Sequence, residues 1–121
     1  RLVHAIAVGA NEHGKGSGKP PRMKTKHLKP RRAKSGRWEL SSFCMDGLTE
    51  EERWVLLAQY VKPDVVARAE LKPSDVEDAE LSLDPDWDPE RHVNIVGWPE
   101  VEVEQVSMAQ VLSARQICTI R

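Results

Sequence analysis

Ten lysines and arginines fall in the 23 residues from Lys15 to Arg37, with no acid among them. A cationic run of that density neutralises a polyanion, displaces its condensed counterions and so binds with strong salt dependence. Lys24, Lys26, Lys29, Arg31, Arg32, Lys34 and Arg37 are its candidate contacts to nucleic-acid phosphates or another polyanion. No aromatic residue occurs in the run before Trp38, so phosphate contact fits it better than base stacking. Two other uses stand beside this one: pairing with the chain's own acidic half or that of a second copy, and plain solvation. Nine acids lie between Glu70 and Glu90 against Lys72 alone, and residues 1–37 carry a net +10 against −11 for residues 38–121. This acidic belt, with Trp87 in Asp-Trp-Asp-Pro and Trp98 in Gly-Trp-Pro expected nearest the surface, is the candidate protein-interaction surface. A basic arm laid on the belt of a neighbour would give a homo-oligomer.

The remaining reactive side chains point less clearly. His4, His13, His27, His92, Cys44 and Cys118 could ligate a metal, but no two lie at C-x-x-C or H-x₃-H spacing, so no metal site is expected. Cys44 and Cys118 sit in apolar surroundings, as plain core residues do. Gly9 to Lys15 matches G-x-x-x-x-G-K after a predicted strand, the outline of a phosphate-binding loop. Gly16 stands where the Mg²⁺-binding Ser or Thr belongs, and Gly18, Pro20 and Pro21 forbid the helix whose amides would cradle phosphate. His92, beside Asp88, Glu90 and Asn94, could do acid–base work but reads first as a structural donor at a strand edge.

Arg1, Ser41-Ser42 and Glu100-Val101-Glu102-Val103-Glu104 occur in the order Arg, Ser-Ser, Glu-x-Glu. That order resembles the scattered signature of ADP-ribosyltransferases. The resemblance implies an Arg and a strand Ser that hold NAD and a Glu that stabilises an oxocarbenium-like transition state. It requires Ser41 or Ser42 and one of Glu100, Glu102 or Glu104 to meet in a cleft. The reading preferred is binding without catalysis and without a cofactor, which leaves this as the enzyme alternative.

The 121 residues suit one domain, residues 1–121, with a basic arm or loop at 11–37 and the acidic belt at 70–90. With 40% hydrophobic and 31% charged residues, a modest core is feasible. No apolar run approaches the roughly 20 residues that cross a bilayer, no signal peptide opens the chain, and two cysteines make no disulfide framework. A cytoplasmic protein without a membrane partner is the expectation.

Strands are predicted at Leu2 to Val8, Trp38 to Met45 (ended by Asp46-Gly47), Val65 to Leu71, around Leu81 and Leu83, and at His92 to Val96. Gly14 to Pro21 reads as linker or arm. Thr49-Glu50-Glu51-Glu52 is a capping box, with a core face of Trp54, Leu57, Ala58 and Val61 and a stop at Pro63. Pro73-Ser74-Asp75 opens a short helix, with Ser74 or Asp75 as cap. Asp84 to Pro89 is a turn-rich loop. A last helix runs from Glu102 or Glu104 to Gln116, with Val101, Gln105, Met108 and Leu112 on one face, and residues 117–121 fray or add an edge strand. This order is not a regular βα alternation, so the expected fold is α+β: a mixed or antiparallel sheet with two main helices packed on it.

Two segments, Gly47-Leu48-Thr49-Glu50-Glu51-Glu52-Arg53-Trp54 and Asp88 to Pro99 with its Arg91-His92-Val93-Asn94-Ile95-Val96-Gly97-Trp98-Pro99, resemble a family of small uncharacterised bacterial proteins. Those proteins share a Gly-Leu-Ser/Thr-Glu…Trp helix start and an Arg-His-x-Asn-Ile-x-Gly-Trp-Pro block. The likeness covers mainly residues 40–112 and implies a bacterial, single-domain, cytosolic protein and nothing catalytic. The basic arm looks like an addition to the family's pattern.

Overall fold

The computed structural model describes residues 2–12, 14 and 19–121. Its seven strands are β1 (Ile6–Ala10), β2 (Arg31–Arg32), β3 (Trp38–Cys44), β4 (Ala67–Leu71), β5 (Ser82–Pro85), β6 (His92–Val96) and β7 (Ile117–Ile120). The helices are α1 (Glu50–Tyr60), α2 (Pro73–Asp78) and α3 (Glu102–Arg115), with a 3₁₀ turn at Thr25–Leu28. Every strand pairing is antiparallel, in the order β5-β6-β3-β1-β4-β7 with β2 added to β3. The fold is therefore a small α+β domain, as expected.

Period-two alternation assigns the two faces of the sheet. Ile6, Val8 and Ala10 of β1 register with Leu71, Ala69 and Ala67 of β4, while Leu40 and Ser42 of β3 register with Ile95 and Val93 of β6. This face is a continuous apolar layer, covered by Leu112 and Ala109 of α3, Val76 of α2, Met23, Leu28 and Trp98. The strands joined by α3 lie four intervals apart, about 19 Å, and its 14 residues reach about 21 Å. The opposite face holds a smaller cluster of Ala7, Phe43, Met45 and Val65 under Trp54 and Leu57 of α1.

Local rules explain most boundaries. The Thr49 hydroxyl accepts the Glu52 N–H at 3.2 Å, and the Glu52 carboxylate accepts the Thr49 N–H at 2.9 Å, closing the capping box. Asp75, at the third helical position of α2, accepts the Lys72 N–H at 2.9 Å. Residues 117–121, left between fraying and an edge strand, form β7 against β4.

Three expectations are corrected. The first strand begins at Ile6, because the Asp46 carboxylate takes the N–H groups of His4 and Ala5 at 2.9 Å each and holds them at the Asp46-Gly47 turn. Val61 follows the end of α1 and is exposed, so that helix buries only Trp54 and Leu57. On α3 the buried positions are Gln105, Ala109, Leu112 and Ser113, while Val101 is half exposed; Gln105 is turned inward because its amide donates to the Pro99 carbonyl at 2.7 Å. Among the described residues, no helix is long and apolar enough to cross a membrane.

Candidate functional site

The basic segment does not stand away from the domain. Met23 and Leu28 are fully buried under α3, and Gln116 holds Met23 at both ends, accepting its N–H at 2.9 Å and donating to its carbonyl at 3.0 Å. Arg22 Nε donates to the Ser113 hydroxyl at 3.1 Å. Two apolar anchors thus dock a stretch whose composition suggested a free arm. The linker assigned to Gly14–Pro21 falls partly on residues 15–18, outside the described residues.

Docking sorts the seven candidate cations into two groups. Lys26 Nζ lies 2.7 Å and Lys24 Nζ 3.9 Å from the Glu12 carboxylate, which His27 Nε2 also meets at 2.9 Å. Lys29 Nζ reaches Glu102 at 3.0 Å, and Arg37 is clamped between Glu39 and Asp84. Of these partners only Asp84 belongs to the acidic belt, so the segment is not laid along it. Arg31, Arg32 and Lys34 are exposed and, among the described residues, have no carboxylate within ion-pair distance. Arg32 leans over the Trp38 ring at 5.6 Å and donates to the Gly36 carbonyl. The open cations gather on β2 and the turn that leads into β3.

That turn overhangs the part of the sheet that α1 leaves uncovered. Glu39 and Ser41 of β3, His92 and Asn94 of β6, and Asp84 of β5 share this face by register. His92 Nδ1 meets Asp86 Oδ1 at 2.8 Å and its Nε2 meets Ser41 Oγ at 3.1 Å, giving a carboxylate–imidazole–hydroxyl line. The Phe43 ring packs against the imidazole at 5.3 Å between centroids. Asp86 also accepts the Asp88 N–H and the Asn94 amide, each at 3.1 Å. Partial burial works to raise the Asp86 pKa, but these hydrogen bonds together with His92 outweigh it and hold the carboxylate below its usual range.

The loop that carries Asp86 is tied to the strand it serves. Trp87 N–H donates to the His92 carbonyl and His92 N–H to the Pro89 carbonyl. Trp87 and Arg91 both adopt the left-handed region, at φ 55° and 70°. Strain of this kind in bulky residues collects where a fold must aim a side chain.

Ser41 and His92 line two adjoining hollows. One, about 360 Å³, is bounded by Arg31, Arg32, Arg37, Asp86 and Asn94. The other, about 410 Å³, runs toward Lys26, Lys29 and Tyr60. A larger hollow of about 590 Å³ follows α1, but its Glu52 and Arg91 are already engaged, by Thr49 and by the Cys44 and Asp46 carbonyls. Convergent polar groups favour the Ser41–His92 cleft.

The other arrangements weighed from the sequence do not assemble among the described residues. Ser42 is buried and donates to the Val93 carbonyl at 2.7 Å. Ser41 faces the α1 side of the sheet, whereas Glu100 accepts from the Trp38 indole, whose ring packs with the α3-side core; Glu102 is held by Lys29. Among the described residues no hydrogen bond joins Ser41 or Ser42 to Glu100, Glu102 or Glu104, and Arg1 lies outside them. Gly9 of the phosphate-loop outline is inside β1, paired with Arg68, where a Cβ would come 3.1 Å from Val65; His13 and Lys15 lie outside the described residues. No group of three metal-ligating side chains occurs among the described residues.

Trp98, expected near the surface, is 8% exposed: its indole N–H donates to the Ile95 carbonyl at 2.9 Å and the ring joins the core. Trp87 is half-buried and packs against the same core. Sequence reasoning placed His92 beside Asp88, Glu90 and Asn94, whereas its ring partners are Asp86 and Ser41. The available signal was the alternation Glu39, Ser41 and His92, Asn94, a polar stripe on strands whose other face is apolar. No family model, curated protein or solved structure matches the chain.

Proposed function

We propose that the protein binds a nucleic-acid backbone through the cations of β2 and the turn that follows it. One observation carries this reading: Arg31, Arg32 and Lys34 are exposed and lack carboxylate partners among the described residues, whereas Lys24, Lys26, Lys29 and Arg37 are already paired within the molecule. A protein that needed its basic segment only for internal pairing would have no use for three exposed cations on β2 and the turn after it. Contact is to phosphates, with little sequence preference. The cytoplasm, where such a partner is at hand, is the proposed place of action. Belt-to-arm self-association is disfavoured, because internal acids occupy four of the seven cations.

Three uncommitted cations lead to a definite expected salt dependence. Three phosphate contacts give a slope of log K against log salt of about −3 on duplex DNA, whereas seven free cations would give about −6. Fluorescence anisotropy with a labelled duplex and a labelled single strand, over a salt series, reads this slope directly. Replacing Arg31, Arg32 and Lys34 together by Ser should weaken binding at least tenfold, and replacing Lys24 and Lys26 by Ser should change it by less than about twofold. No binding to either probe at low salt, or a larger loss from the Lys24 and Lys26 pair, overturns the proposal.

A further inference from the structure

The line Asp86–His92–Ser41 has a use that phosphate binding does not require. We propose that Ser41 is an activated nucleophile and that the cleft hydrolyses an ester carrying an anionic group close to the scissile bond. Three features of the site lead there. The hydroxyl of Ser41 is exposed at the junction of two hollows, so an ester can reach it. His92 Nε2 stands 3.1 Å from Ser41 Oγ, within reach of its proton, while Asp86 at 2.8 Å fixes the imidazole with Nδ1 as donor. The same hollow holds Glu39 and Asp84, both paired with Arg37, and Asp86, paired with His92. Arg31 and Arg32, without carboxylate partners among the described residues, are its uncommitted charges and supply positive charge for an anionic substrate and for the oxygen that becomes negative during attack.

The chemistry closes without a further reagent. Ser41 Oγ bonds to the ester carbonyl carbon while its proton passes to His92 Nε2. The tetrahedral intermediate collapses, the bond from carbon to the alkoxy oxygen breaks, and the imidazolium protonates the departing alcohol. Water then repeats the sequence on the Ser41 ester, giving up a proton to His92, which returns it to Ser41 as the acid leaves. Asp86 stays ionised throughout. Arg31 and Arg32 are shared with the proposed nucleic-acid contact, but the nucleophile is not: an adduct on Ser41 can fail or stand whatever the outcome of the binding titration.

Incubation of the intact protein with a fluorophosphonate tests the nucleophile first, since the Ser oxygen bonds to phosphorus as fluoride leaves. Peptide mass spectrometry of the wild-type chain should place the adduct on Ser41, a readout that needs no variant. Hydrolysis of 4-nitrophenyl hydrogen succinate should exceed that of 4-nitrophenyl acetate in kcat/KM by about tenfold, which is 1.4 kcal/mol. Ser41→Ala and His92→Gln should each lower the succinate rate by about a thousandfold, with Ser107→Ala as the unaffected control. Absence of an adduct on Ser41, or equal labelling of Ser41→Ala, overturns the inference. Equal use of the two esters overturns the assignment of an anionic substrate.

Discussion

The two faces of the sheet are built from the same strands and end up doing different things. On one, α3, α2, the 3₁₀ turn and Trp98 seal an apolar layer in which the buried polar groups Ser42 and Gln105 are satisfied by backbone carbonyls. On the other, α1 stands alone. A helix about 10 Å across covers roughly two strands at their spacing of about 4.8 Å, and the six strands in line here present about 24 Å. On either side of the α1 cluster this face is polar, but the two sides differ. Arg68 is closed in at 2% exposure between Glu50, Glu70 and the Trp54 ring, whereas Ser41 and His92 open onto two hollows. Both are charged networks on a partly covered sheet; only the one away from α1 is available to a ligand.

The largest expected effect tests the sealed face. Leu28 is fully buried, so Leu28→Ala removes about three methylene-sized groups beneath α3 and should destabilise the domain by about 3–4 kcal/mol in urea unfolding. Amide exchange should then quicken in residues 23–32 while the Trp54 to Leu57 stretch of α1 stays protected. Uniform quickening would mean that the basic segment is integral to global folding rather than a docked layer.

Next comes the closed polar side. Among the described residues Arg68 Nε has no hydrogen-bond partner, lying 3.7 Å from Glu70, while its two terminal nitrogens bind the Glu50 carboxylate. Arg68→Ala leaves a hole beside Trp54 and should cost about 2–3 kcal/mol, whereas Arg68→Met keeps the bulk and should cost less than about 1. Chemical denaturation of both variants decides it. Equal losses would show that the charge itself, not its packing, holds α1 to β4.

The comparison also shows what the sequence could disclose. Thr49 and Glu52, three residues apart, announce α1 because the motif is wholly local. His92 to Val96, alternating and closed by Gly97-Trp98-Pro99, emerges as β6 with both ends as read. Docking of the basic segment was not legible in that way, because Met23 and Leu28 are single apolar residues among cations and no period marks them. The Ser41–His92 contact spans 51 residues and depends on the register of β3 with β6, which composition does not specify. Trp98 misled for a related reason: a Gly-Trp-Pro turn suggests exposure until the backbone carbonyl that takes its indole N–H is in place.

The smallest expected effect concerns the clasp between β1 and the 3₁₀ turn. Hydrogen bonds from Lys26, then from His27, outweigh slight desolvation and lower the Glu12 pKa from the usual 4.5 to about 2. Because the folded value is the lower one, the clasp contributes its full stability above pH 4.5 and loses it as pH falls toward 2. The Glu12 side chain is partly open to water, so that contribution is screened and small beside Leu28. Following the Glu12 carboxyl carbon by NMR should give a midpoint near 2 at low salt, moving back toward 4.5 at about 1 M salt, where the Debye length is about 3 Å. A midpoint already near 4.5 at low salt would mean that Lys24 and Lys26 are open cations after all. The salt slope of nucleic-acid binding would then have to steepen accordingly, joining the two measurements into one test of which cations the fold has withdrawn.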